Sequence, residues 1–218
     1  MHSIPTERVD DALWQQQVQA LIDAGRELHA HGWVPATSGN FSARLSASEI
    51  ALTVSGRHKG KLDADAIMRA DLHGCAVGSD KRPSAETLLH TQLYQRYPDV
   101  GVVLHVHSVN ATLISRAVQR SGRHDLVLAG YELLKAFPGC NTHATSLRVP
   151  VFDNEQDIAR LAAKVDAWLD ANEPVYGYLI AGHGLYAWGR DMAETLRHLE
   201  AFDFLFECDL RERGVKNA

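Results

Sequence analysis

The chain has 218 residues, 45% of them hydrophobic, and a formal net charge of −5 with a pI near 6.2. That is enough apolar material for one sizeable core, so a single domain over residues 1–218 is expected. The interspersed charges create no basic field for nucleic acid, and no run approaches the ~18 apolar residues that suggest a membrane span.

The opening stretch MHSIPTERVDD has neither the basic n-region nor the apolar h-region of a leader. Cys75, Cys140 and Cys208 are widely spaced and odd in number, which suits a reducing compartment, so the cytoplasm is the expected location. From Asp10 to His31, Trp14, Val18, Leu21, Ile22, Gly25 and Leu28 recur at helical spacing, with an aspartate before them and Gly32 after. GWVPATSGNFSARL and EIALTVSGRHKG predict two short strands beside small-residue turns, and Ile67 to Val77 a third. RPSAETLLHTQLYQRYP predicts a helix capped by Ser84 and ended by Pro98.

VGVVLHVHSVN, Val100 to Asn110, is then a hydrophobic strand carrying two histidines. Side chains at i and i+2 of a strand share a face, so His105 and His107 point one way while Leu104 and Val106 point the other. Val109 to Ala117 predicts a short helix, and VLAGYELLKAFPG a turn and a short helical or irregular piece. LRVPVF is a further strand, and Asn154 to Leu169 a helix with Ile158, Leu161, Val165 and Leu169 on one face. VYGYLIAGHGLYAWG reads as two strands joined at Gly182-His183-Gly184, and Asp191 with Glu194 opens a long last helix like a capping box. Interleaved elements with short turns predict a mixed α/β domain with a largely antiparallel sheet covered by helices.

Three constellations could carry chemistry. His105, His107 and His183 are three imidazoles that could hold one metal ion and leave a position open, the ligand set of a catalytic zinc. The remaining histidines, His90 among them, lack such mutual spacing and read as surface or structural. Ser38-Gly39-Asn40, Ser55-Gly56 and Ser84, one of them beside the basic run GRHKGK, offer hydroxyls and backbone N–H groups suited to a phosphate dianion. Glu86 and Glu132 are candidate proton carriers: Glu86 in the first turn of its helix, and Glu132 either in an apolar setting where burial would raise its pKa or as a solvated loop acid, the two readings being even from spacing.

Taken in order, SGN (Ser38 to Asn40), TVSG (Thr53 to Gly56), PSAE (Pro83 to Glu86), HVHS (His105 to Ser108) and GHGLYAWG (Gly182 to Gly189) resemble the motifs of the class II aldolases. The resemblance covers most of the chain and implies an α/β/α sandwich around a central, mainly antiparallel sheet. It also implies a homotetramer with active sites near subunit boundaries and one zinc ion per subunit on His105, His107 and His183. Asn40, Ser55, Gly56 and Ser84 match the family's phosphate-binding positions, and Glu86 matches the aldolases' acid/base position. YELLKAF (Tyr131 to Phe137) and VPVFDN (Val149 to Asn154) are most similar to a dehydratase branch, in which Glu132 matches the acid/base glutamate. The activity this implies is dehydration of a methylthio-substituted sugar phosphate in methionine salvage. Aldol chemistry on another short sugar phosphate is the near alternative, and a non-catalytic scaffold like the adducin head the remote one. The sequence departs from the family pattern at Ala85, where the aldolases carry a second serine.

Overall fold

The computed structural model describes residues 9–172 and 174–216; the first eight residues, on which much of the leader expectation rests, lie outside them. Helix α1 (Asp11–Ala30) starts where Asp10 accepts a hydrogen bond from the Ala12 N–H at 3.0 Å. It buries Val18, Leu21, Ile22 and Leu28 at helical spacing. Among the described residues nine strands follow: β1 (Asn40–Arg44), β2 (Glu49–Thr53), β3 (Ile67–Asp71), β4 (Ala76–Val77), β5 (Val102–Val106), β6 (Asp125–Ala129), β7 (Ser146–Phe152), β8 (Gly177–Ile180) and β9 (Gly184–Gly189). They form one open sheet in the order β4-β3-β2-β1-β5-β9-β8-β7-β6, antiparallel throughout except for β7 beside β8.

The remaining helices are α2 (Thr87–Arg96), α3 (Val109–Arg120), α4 (Ile158–Ala171) and α5 (Met192–Lys216). One face of the sheet packs on α1, α3 and α5 through Leu21, Phe41, Leu104, Val106, Ile114 and Phe202. The other packs on α2 and α4 through Leu52, Leu89, Leu93, Val103, Val165 and Tyr186. The result is the α/β/α sandwich with a mainly antiparallel sheet. Strand β5 lies at its centre with β1 and β9 as neighbours. Its alternation sends Val102, Leu104 and Val106 toward the first helical layer, and Val103 with His105 toward the second.

Local differences from expectation have identifiable causes. Ile67 to Val77 is two strands, because the Asp71 carboxylate accepts from the N–H groups of His73 and Cys75 while Gly74 turns at φ +84°. Strand β6, whose last three residues open the stretch expected to start as a turn, is a sheet-edge strand with Leu126 and Leu128 buried. Helix α4 begins at Ile158 under an Asp157 cap. Ser84 does not cap α2: Glu86 holds the cap position, and the Ser84 hydroxyl accepts from the Glu86 N–H at 3.3 Å. At α5 half of the expected capping box forms. The Asp191 carboxylate accepts from the Glu194 N–H, but Glu194 turns to the Arg190 N–H.

Candidate metal and anion site

His105 sits on the central strand, fully buried, with its ring stacked 4.1 Å from that of Tyr186 on β9. Its Nδ1 lies 3.0 Å from the Leu185 carbonyl. Only a protonated Nδ1 can donate there, so Nε2 carries the lone pair. His107 follows one turnless step later, just past the end of β5, with its N–H on the Trp33 carbonyl. His183 arrives from the tight β8–β9 connection, where Gly182 has φ +67° and its N–H donates to the Ser115 hydroxyl. The three Nε2 atoms converge: His107 is 2.9 Å and His183 3.4 Å from that of His105.

Two nitrogen ligands at ~2.0 Å from one ion, at a tetrahedral angle, stand ~3.3 Å apart. The histidine spacing fits that requirement, so His105, His107 and His183 could hold a metal ion. Burial drives the pKa of His105 well below its usual value and that of His107 down to about 4. Both are therefore neutral near pH 7, which is the form a metal needs.

Glu86, at the start of α2, brings its carboxylate to the same point, 3.4 Å from His105 Nε2 and 3.2 Å from His183 Nε2. Burial alone would raise its pKa. Hydrogen bonds from Tyr186 Oη (2.5 Å) and Asn40 Nδ2 (3.0 Å) favour the ionised form and hold the carboxyl below the usual carboxylate range. Behind it runs a buried chain of polar groups. Asn40 meets His90 Nε2, His90 Nδ1 lies 2.7 Å from the Ser42 hydroxyl, and that hydroxyl lies 2.8 Å from Tyr94. His90 is thus neither exposed nor peripheral, and it orients the side-chain amide that in turn holds Glu86. Its place among Leu89, Leu93 and Tyr94 on one helical face was the available signal.

Beside the histidines is a cavity of about 320 Å³. Asn40, Ser55, Gly56 and Ser84 all line it, as do Glu86 and His107, so the three small-residue stretches meet in one place. Gly39 permits the approach: at φ +77°, a Cβ there would sit 2.8 Å from the His105 carbonyl oxygen. Ala85 lines the cavity where a second hydroxyl was expected. Lys59, which sequence reasoning passed over individually, lines it too.

Glu132 takes the solvated of its two expected environments, not the buried one. It starts a short 3-10 turn (Glu132–Ala136) with its side chain 72% exposed, and pairs with Lys135 at 2.5 Å. The hydrogen bond from Lys135 lowers its pKa, outweighing the small opposing effect of desolvation. Leu133 and Ala136 of this turn share a surface depression with Trp33, the residue whose carbonyl receives the His107 N–H.

The turn at His183 makes a direct prediction. A Cβ on Gly184 would lie 2.1 Å from the Val106 carbonyl oxygen and 3.0 Å from the His105 ring. Gly184→Ala should therefore separate β9 from β5 at the histidines, lowering the thermal midpoint by several degrees and depleting bound metal, as read by calorimetry and metal analysis. An unchanged midpoint with full metal content would contradict the contact.

Residues 19–210 match the family described as Class II Aldolase and Adducin N-terminal domain. The chain is 56% identical over 203 residues to methylthioribulose-1-phosphate dehydratase of Pseudomonas fluorescens, covering 93% of this chain and 96% of that protein. It is 58% identical over 197 residues to the protein of that name from Pseudomonas savastanoi pv. phaseolicola, covering 90% and 95%. Among solved structures, L-fuculose-1-phosphate aldolase from Thermus thermophilus superposes with a TM-score of 0.74 at 22% identity, over 94% of this chain and 99% of that one. Among the described residues, no helix is long and apolar enough to cross a membrane.

Proposed function

Since this chain belongs to the class II aldolase and adducin family, we propose that it dehydrates 5-methylthioribulose 1-phosphate to 5-methylthio-2,3-dioxopentyl phosphate, a hydro-lyase step of methionine salvage. The observation that carries this reading is the identity of 56–58% over about nine-tenths of the chain to dehydratases of that name. The intact histidine and glutamate set agrees with it and disfavours a purely scaffolding role.

Zinc is the ion we assign to His105, His107 and His183, because three neutral imidazoles with room for a further ligand suit it. When bound, the ion supplies Lewis-acid polarisation of the substrate's oxygens, which makes the proton on C3 removable. Glu86, ionised and fixed by Tyr186 and Asn40, is placed to accept a proton near the histidines. Glu132 is proposed as the group that delivers a proton to the departing C4 hydroxyl. Loss of that hydroxyl as water leaves an enol, which tautomerises to the 2,3-diketone. Asn40, Ser55, Gly56 and Ser84 are proposed to hold the phosphate, through hydroxyls, an amide and backbone N–H groups. The working assembly is proposed to be a homotetramer in the cytoplasm. The three cysteines are free thiols, as a reducing compartment requires.

The deciding experiment is to incubate metal-replete protein with methylthioribulose 1-phosphate and identify the products by mass. Loss of one water is the expected result. Dihydroxyacetone phosphate with a methylthio-aldehyde would instead mean cleavage of C3–C4, and would return the chain to aldol chemistry.

A further inference from the structure

Lys59 is only 2% exposed, an uncommon state for a lysine. It lies in a short 3-10 turn (Lys59–Lys61) packed against α1. Two glycines make that packing possible. A Cβ on Gly25 of α1 would come within 2.3 Å of the Lys59 carbonyl oxygen, and one on Gly60 within 2.4 Å of the His29 ring. The backbone of Lys59 is therefore fixed by close contact, and its side chain runs inward to the cavity beside the histidines.

The ammonium donates to the carbonyls of Thr37 (3.0 Å) and Arg57 (2.7 Å). An ammonium has three N–H donors, so two neutral acceptors leave one donor for the cavity. Among the described residues no carboxylate forms an ion pair with Lys59. A buried cation facing neutral acceptors is costly, and the cost is relieved when an anion enters beside it. The same cavity presents Ser55, Gly56 and Ser84, and lacks a hydroxyl at Ala85.

We infer that Lys59 is the fixed positive charge that makes this cavity select a phosphate dianion, supplying the charge-assisted contact where Ala85 offers no hydroxyl. This rests on reading the cavity as the phosphate end of the substrate site. It assigns Lys59 a specificity role. The metal and the proton carriers act at the ketone end, so loss of Lys59 should weaken binding more than turnover.

The test compares wild type with Lys59→Met, Lys59→Gln and Lys59→Arg, all full-length and metal-loaded. The affinity for inorganic phosphate is measured by calorimetry, and KM and kcat are measured on the phosphorylated substrate. A charge-assisted hydrogen bond corresponds to about 10- to 100-fold. Both neutral variants should lose phosphate affinity by that factor and raise KM in parallel, with a smaller change in kcat, and Lys59→Arg should recover part of the loss. Lys59→Gln keeps N–H donors for the Thr37 and Arg57 carbonyls, so it carries the test if Lys59→Met does not fold. Phosphate affinity and KM within about twofold of wild type in Lys59→Gln would overturn the inference. Phosphate binding lost with Lys59 in a chain that does not dehydrate the substrate would support the inference while refuting the proposed reaction.

Discussion

His105→Ala is expected to abolish metal binding and to lower the dehydration rate by ~10³-fold or more. The magnitude follows from what the ion supplies: Lewis-acid stabilisation of several kcal/mol, at about 1.4 kcal/mol per tenfold in rate. His105 is the ligand whose loss should cost most. It is held on the central strand, its Nδ1 is committed to the Leu185 carbonyl, and its ring lies against Tyr186. His107 and His183 sit at the ends of β5 and the β8–β9 turn, and two imidazoles alone would not hold the ion. Metal analysis and far-UV circular dichroism on the same sample separate loss of the site from loss of the fold. A well-folded, metal-free variant with the wild-type rate would end the metal-dependent reading.

The histidine site was legible because strand periodicity is a strong constraint. Leu104 and Val106 had to face a core, so His105 and His107 had to face together, whatever the tertiary structure. His183 was legible for a similar reason, since the glycines around it fit only a tight turn between strands. What the sequence concealed depends on the third dimension. Gly25 reads as one more apolar position of an amphipathic helix, but its missing Cβ is what lets the Lys59 turn approach. Lys59 reads as one member of a basic run, because burial of a lysine has no local signature. His90 is one polar residue on an apolar helical face, and only the sheet brings Asn40 and Ser42 beneath it. Strand β6 was passed over although Leu126 and Leu128 alternate with exposed Val127; Gly130 directly after it made the stretch read as a turn.

Glu132 shows the limit of arguing burial from neighbours in sequence, and it carries the other large expected effect. Its apolar flanks, Leu133 and Leu134, left a buried and a solvated carboxyl equally open, and a 3-10 turn decides between them by sending Leu134 into the core and leaving Glu132 outside beside Lys135. Dehydration still needs two proton transfers, one from C3 and one to the C4 oxygen. Glu86, held below the usual carboxylate range by Tyr186 and Asn40, can accept a proton near pH 7 but has none to give. The proposed donor must then be another group, and for Glu132 to serve, its ion pair with Lys135 has to open and its carboxylate has to take up a proton as substrate binds. Glu132→Gln is accordingly expected to retain the metal and the thermal midpoint while dehydration falls ~10²-fold, an ordinary acid–base contribution. The two carboxylates can be told apart by running the reaction in deuterium oxide. Glu132→Gln should still exchange the C3 proton of unreacted substrate, because removal of that proton precedes loss of the hydroxyl, whereas Glu86→Gln should suppress exchange and dehydration together. If Glu132→Gln dehydrates at the wild-type rate, its carboxylate is a surface partner of Lys135 and the C4 hydroxyl takes its proton from elsewhere.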